Sequence, residues 1–336
     1  MKIYRDILQR AWHILWRYTW LWPLGLFAAL AGNGGEYSSL AISSERVANQ
    51  VSAWQTLEDN LHSNQISFLW QGVKNTFAQD PVLAVWLLFV LVVLGLLVLW
   101  LVIVAQASLI NATGKIDAGE KTNFTRTTAE AVKYFWPIFL LNLLAKFVIY
   151  LLLTVAFLPF LITLLFHPQS QWNLGLLVII SFIISAPLSL IVSFILKYAA
   201  IYIVLAKEKW WTALEKAVDL FFRNWLASLE MAAILFTINL VLSLVVFLLI
   251  PNTILLEVYV MFNDFSWITF FRVLPTFLLF LAAGTWFATF QYVGWTLLWR
   301  RLTSEGVVPK LIRLTSSLPG SLNTWLNQKP FDGWKK

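Results

Sequence analysis

Apolar and polar positions alternate along this chain on two scales. Long apolar runs are separated by short segments in which apolar side chains recur every three or four residues, the spacing of an amphipathic helix. Residues 2–16 show the second kind: Ile3, Tyr4, Ile7, Leu8, Ala11, Trp12, Leu15 and Trp16 form a stripe opposite Lys2, Arg5, Asp6, Gln9, Arg10 and His13. Aromatics on one face and basic residues on the other suit a helix lying in a membrane interface. The event recurs. Ala11-Trp12, Ala131-Val132 and Ala217-Val218 align, each followed six residues on by Arg17, Pro137 or Arg223 near Trp20, Trp136 or Trp225. Each unit reads as a surface helix feeding a membrane span, and Thr127-x-x-Glu130 reads as a capping box that starts the second surface helix. In the third, Trp210, Trp211, Leu214, Val218, Phe221, Phe222 and Trp225 share one face.

The apolar runs predict six spans: about 18–31, 82–105, 138–158, 174–206, 226–250 and 275–299. The second is free of charge and is expected to stay helical to Ala112, before Gly114. Pro137 and Pro159 are expected to bound the third, Pro187 to kink the fourth, Pro251 to stop the fifth, and Asn252–Arg272 to form an outer loop before Pro275. Residues 32–81 form a polar insertion with helical periodicity at Val47, Val51, Trp54, Leu57 and Leu61 and a second short helix ending before Asp80-Pro81; it reads as a packed cap ahead of a docking lid. Residues 301–336 form a basic tail. The expected fold is all-α: one polytopic membrane domain over residues 1–300, six transmembrane helices in three repeats of surface helix plus helical hairpin. The basic start and Ala29-Leu30-Ala31 also fit a cleaved signal peptide, but the match to the other two units favours a retained span.

Composition sharpens this picture. With 60% hydrophobic and 12% charged residues, a soluble core of 336 residues is excluded. The net charge of +7 points to topology rather than nucleic acid, because 19 of the 24 Lys and Arg fall in the N-terminal segment, residues 113–136, residues 207–225 and the tail counted from Arg300. Both termini are thus expected in the cytoplasm, with anionic lipid as the partner at that face. Many of the 19 tryptophans fall at span ends, as interfacial rings do.

Seven charged or amide residues fall inside the predicted spans or at their inner ends: Gln106, Asn142, Lys146, Lys197, Glu230, Asn239 and Gln291. Lys146 lies ten residues past Trp136, about 15 Å along a helix, with Asn142 one turn before it. Glu230 is the one acid within these spans, and Lys197 and Lys146 are its candidate counter-ions. An ionisable group in a span costs about 2.5–3.5 kcal/mol on insertion scales, so it faces a partner or a wet cavity. Two readings follow: a polar pocket open to the cytoplasm, or snorkelling lysines and amides that only tie helices together. Chemistry is harder to find. There is no cysteine, the three histidines lie in three separate segments, and no H-E-x-x-H, G-x-S-x-G or phosphate-loop motif occurs. No catalytic, metal or cofactor site is expected.

AWHILWRYTWLWPLGLFAAL near the start, AVKYFWPIFLLNLL in the middle and FQYVGWTLLWRRL near the end resemble bacterial six-span proteins, similar in layout to the membrane domain attached to some glycerophosphoryl diester phosphodiesterases. The resemblance implies a bacterial cytoplasmic membrane. It brings no activity, since the soluble phosphodiesterase domain has no counterpart here. The expected function is non-enzymatic binding or transport of a lipid or small amphiphile. The alternative is a structural or assembly protein whose surface helices organise lipid or partner proteins.

Overall fold

The computed structural model describes residues 2–30, 80–166, 171–249 and 267–304. All the elements among them are helical: α1 (Lys2–Arg17), α2 (Trp22–Leu30), α3 (Pro81–Asp117), α4 (Phe124–Ala131), α5 (Phe135–Phe166), α6 (Gln171–Leu205), α7 (Trp210–Arg223), α8 (Trp225–Leu249) and α9 (Trp267–Ser304). Five of the described segments are long and apolar enough to cross a membrane: α3, the continuous stretch Phe124–Pro159, Ile179–Leu205 of α6, Trp225–Val246 of α8, and α9. The apolar helix over Thr19–Leu30 is shorter. The polar insertion, apart from Asp80-Pro81, and the tail beyond Ser304 lie outside the described residues.

Helix starts follow local chemistry. Asp80 Oδ1 accepts the Val82 and Leu83 N–H groups at 3.1 Å each, with Pro81 opening α3 where no donor is needed. Asn123, not Thr127, caps α4: its Oδ1 accepts the Arg126 N–H at 3.0 Å. Thr127 is instead buried within the helix, hydroxyl to hydroxyl with Thr122 at 2.6 Å, so the capping box is corrected to an Asn cap four residues upstream. Span boundaries need correction too. Pro159 and Pro275 sit inside α5 and α9, which continue to Phe166 and back to Trp267, and α3 runs past Gly114 to Asp117. Proline is tolerated in such helices because neighbouring groups take up the freed carbonyl.

Two units divide the chain: Met1–Gly32 with Ile103–Asn142 and Phe194–Lys336, and Asn33–Val102 with Leu143–Ser193. In the second, nearly every large side chain from Val82 to Trp100 is exposed, a surface whose solvent is lipid, and the Ser181 hydroxyl donates to the Ala156 carbonyl between α6 and α5. The first unit holds the described core: α9 lies along α2 and α1 and touches α8. Gly25 makes the α2–α9 contact possible, because a Cβ there would lie 2.7 Å from the Thr285 carbonyl oxygen and overlap Thr289 Oγ1.

The amphipathic helices pack by a different face than the aromatic pattern implies. On α1, Tyr4, Ile7, Ala11, Ile14 and Leu15 are buried, whereas Trp12 and Trp16 remain half exposed. On α7, Ala213, Ala217, Leu220 and Phe221 are buried, whereas Trp211 and Phe222 are exposed, and Trp225 opens α8. Each apolar face is wide enough to be split. Small and aliphatic residues meet protein, and rings are left at the edge, where an interface would receive them.

Candidate functional site

Within the first unit, polar side chains converge where α6, α8 and α9 meet. Phe194, Tyr198 and Tyr202 recur every four residues on α6, and Gln291, Trp295 and Trp299 do so on α9, so each set forms a stripe along its helix. The stripes interlock. Trp295 lies 5.3 Å from Phe194 with the rings tilted by 37°, and edge-on at 5.8 Å against Tyr198, and Trp299 meets Tyr202 at 5.1 Å and 90°. Gly294 admits α8 here; a Cβ at that position would lie 2.9 Å from Met231 Cε.

The cluster's polar atoms are unevenly satisfied. Tyr198 is fully buried, and its hydroxyl pairs with Ser228 Oγ at 2.7 Å. The Lys197 ammonium sits 5.0 Å from the Trp295 ring centroid, a cation–π contact that offsets part of its desolvation. Elsewhere in this unit the buried hydroxyls of Ser108, Thr113, Thr289 and Thr296 donate to the carbonyl one turn back, which satisfies them without an outside partner. Gln291 Nε2 and Trp295 Nε1 have no such recourse. Both are buried, with the residues only 6% and 2% exposed, and neither finds an acceptor among the described residues. Trp299 Nε1 is likewise buried without a hydrogen-bond partner among the described residues.

The seven sequence candidates therefore separate. Gln106 and Asn142 bond directly, Asn142 Nδ2 donating to Gln106 Oε1 at 2.8 Å, and so tie α5 to α3. Lys197 and Gln291 belong to the α6–α9 cluster, and Glu230 is half-buried on α8 two residues beyond Ser228. Asn239 is half-buried two turns further along α8. Lys146 is exposed on α5 and belongs to the second unit. Sequence reasoning passed over Tyr198, Ser228 and Trp295. The available signal was spacing, since Trp295 follows Gln291 by one turn and Tyr198 follows Phe194 by one turn.

A second polar cluster ties helix ends together. Asp117 at the end of α3 takes Arg10 Nε and Arg300 Nη1, each at 2.6 Å; the Arg10 contact is an ion pair without hydrogen-bond alignment at Oδ1. Glu130 on α4 accepts from Lys115, from Asn111 at 3.1 Å and from Arg126 at 3.4 Å. Both carboxylates are paired with cations, and among the described residues no three acidic or histidine side chains come together to hold a metal. Around α6, α8 and α9 the groups are the Lys197 ammonium, the Gln291 amide, indoles and hydroxyls, with the Glu230 carboxylate half-buried on α8, a set suited to hydrogen bonding a ligand. Comparison with protein-family models, with curated proteins and with solved structures gives no match for this chain.

Proposed function

We propose that this chain is a six-span protein of the bacterial cytoplasmic membrane that binds or carries a lipid or small amphiphile at the meeting of α6, α8 and α9, without covalent chemistry. The observation that carries the binding reading is the pair of buried donors, Gln291 Nε2 and Trp295 Nε1, left without acceptors beside the Lys197 ammonium. A buried donor left unmade costs about 1–3 kcal/mol, so a site that holds two is built for something that brings acceptors. Support for a threefold layout comes from Ile7 and Ala11, Thr127 and Ala131, and Ala213 and Ala217, all buried at equivalent places. After each pair the helix breaks, at Tyr18, at the tight turn Val132–Tyr134 and at Asn224, before an apolar helix follows. Counting the shorter apolar helix Thr19–Leu30 with the five long ones gives six apolar segments, an even number that supports cytoplasmic termini together with the distribution of Lys and Arg.

Two measurements test this. Native mass spectrometry with lipid identification is expected to find a specific amphiphile retained by wild type and by Lys146→Leu but lost from Gln291→Leu. The same lipids on all three proteins would favour the scaffold reading instead. Because the chain has no cysteine, single substitutions report topology cleanly. In intact cells Glu120→Cys and Glu208→Cys are expected to resist a membrane-impermeant thiol reagent while His167→Cys reacts. Labelling of Glu120→Cys would overturn the orientation.

A further inference from the structure

We infer that the exposed face of α5 around Lys146 is a docking site for a transmembrane helix of another membrane protein, one that carries a carboxylate at the same depth. The inference stands apart from the amphiphile reading, which uses other residues. Lys146 is the one charge in α5. It is exposed, lies in the second unit, and makes no hydrogen bond or ion pair among the described residues. The other ionisable side chains inside the predicted spans, Lys197 and Glu230, are half-buried and interact with their neighbours.

Depth is the first ground. Trp136 marks the polar end of α5, and Lys146 lies ten residues further on. That is about 15 Å along a helix, half the thickness of a hydrocarbon core. Helical side chains lean back towards the N-terminus, yet a four-carbon stem falls short of the level of Trp136. Lipid tails offer an ammonium no acceptor, so a charge held there calls for a partner in the membrane.

Shape and sign are the second ground. The exposed residues here form two adjacent rows of i, i+4 spacing: Lys146, Tyr150 and Thr154 in one, Phe147, Leu151 and Val155 in the other. Such rows are the ridges into which a second helix packs. The Thr154 hydroxyl is used within α5, donating to the Tyr150 carbonyl at 2.8 Å. The Lys146 ammonium can only donate, and the exposed Tyr150 hydroxyl one turn on can donate as well. A carboxylate accepts from both and supplies the missing charge. A second copy of this chain fits poorly. Two-fold pairing on this face brings ammonium towards ammonium, and Glu230, the one acid inside the predicted spans, sits half-buried on α8. Lipid phosphate stays at the membrane surface. The occupant that fits is an apolar helix with its own acid, each charge being the counter-ion of the other.

The test uses synthetic helices as probes. Full-length protein is reconstituted in phosphatidylcholine vesicles with membrane-spanning peptides of about 20 apolar residues. The peptides differ only at the centre, where they carry Asp, Asn or Leu, and association is read by energy transfer. Wild type is expected to bind the Asp peptide about tenfold more tightly than the Leu peptide, with Asn between them. In Lys146→Leu that preference is expected to vanish, and in Lys146→Arg, which keeps the charge, to persist. Equal binding of the Asp and Leu peptides by wild type would overturn the inference, and that comparison needs no variant to fold. An Asp preference that survives in Lys146→Leu would also sink it, by placing the docking face elsewhere. Loss of the preference when phosphatidylglycerol is added would mean that Lys146 reads a lipid phosphate instead. Energy transfer between copies of the protein that disappears in Lys146→Leu would give the face to a second copy and end the proposal in the same way.

Discussion

Gly25→Leu is expected to separate α2 from α9 and lower stability by about 3 kcal/mol or more. The reason is geometric. At Gly25 the two helix backbones are so close that even a Cβ would meet the Thr285 carbonyl at 2.7 Å and overlap Thr289 Oγ1, so the neighbour in the way is partly backbone and cannot swing aside. Thr289 is itself fixed, fully buried with its hydroxyl on the Thr285 carbonyl at 2.8 Å. The consequence spreads, because α1 packs on α9 beside α2 and Trp22 Nε1 donates to the Leu15 carbonyl at 3.2 Å across the junction. Thermal denaturation of the detergent-solubilised protein, followed by size exclusion, measures the effect. Gly284→Ala on α9 is the control: a Cβ there meets nothing within 4 Å, so the change is expected to be neutral or stabilising by about 0.5–1 kcal/mol through helix propensity. A Gly25→Leu protein that melts with wild type would mean that α2 does not dock on α9 as described.

Asp117→Ala is expected to cost about 2 kcal/mol, between the values for buried and surface ion pairs, because the carboxylate is 13% exposed and its arginine partners 53% and 35%. Asp117 holds three elements at one point: its own helix α3, α1 through Arg10, and α9 through Arg300. Arg10 also donates to the Asp117 carbonyl at 3.1 Å, and Arg300 to the Gly114 carbonyl at 3.0 Å. Losing the carboxylate leaves Arg10 solvated at little cost but strands the less exposed Arg300. Arg300→Ala is therefore expected to destabilise more than Arg10→Ala, and Asp117→Ala combined with Arg300→Ala less than the sum of the two. Additive losses across that cycle would show that Asp117 and Arg300 do not act as a pair.

Much of this molecule was legible in its residues. The charge-free run from Val82 to Ala105 could only be a long apolar helix, and the three aligned alanines, Ala11, Ala131 and Ala217, are all fully buried. Boundaries read less well. Proline was taken as punctuation at Pro159 and Pro275, whereas both lie inside helices, since a span in lipid has stronger reason to keep its backbone paired than a soluble helix does. Of the polar residues, Gln106 and Asn142 proved to be partners of each other 36 positions apart, a pairing no local pattern encodes. Glu130, read as half of a capping box, holds Lys115 and Asn111 from the end of α3.

The sequence by itself determined that the chain is helical, that its long apolar segments suit a membrane, and which segments are amphipathic. It did so because backbone hydrogen bonding in lipid leaves helices as the economical answer for runs of this length, and because charge is tolerated only outside them. Only the tertiary structure decided which side of each apolar face meets protein. Lipid and protein interior are equally apolar, so hydropathy cannot separate the buried Ala213 and Ala217 from the exposed Trp211 and Phe222 on the same helix. The same holds for the cluster at Gln291. A glutamine in a span reads alike whether its amide is bonded, as at Gln106, or left with an unmet donor, and only the positions of α6 and α8 around α9 tell the two apart.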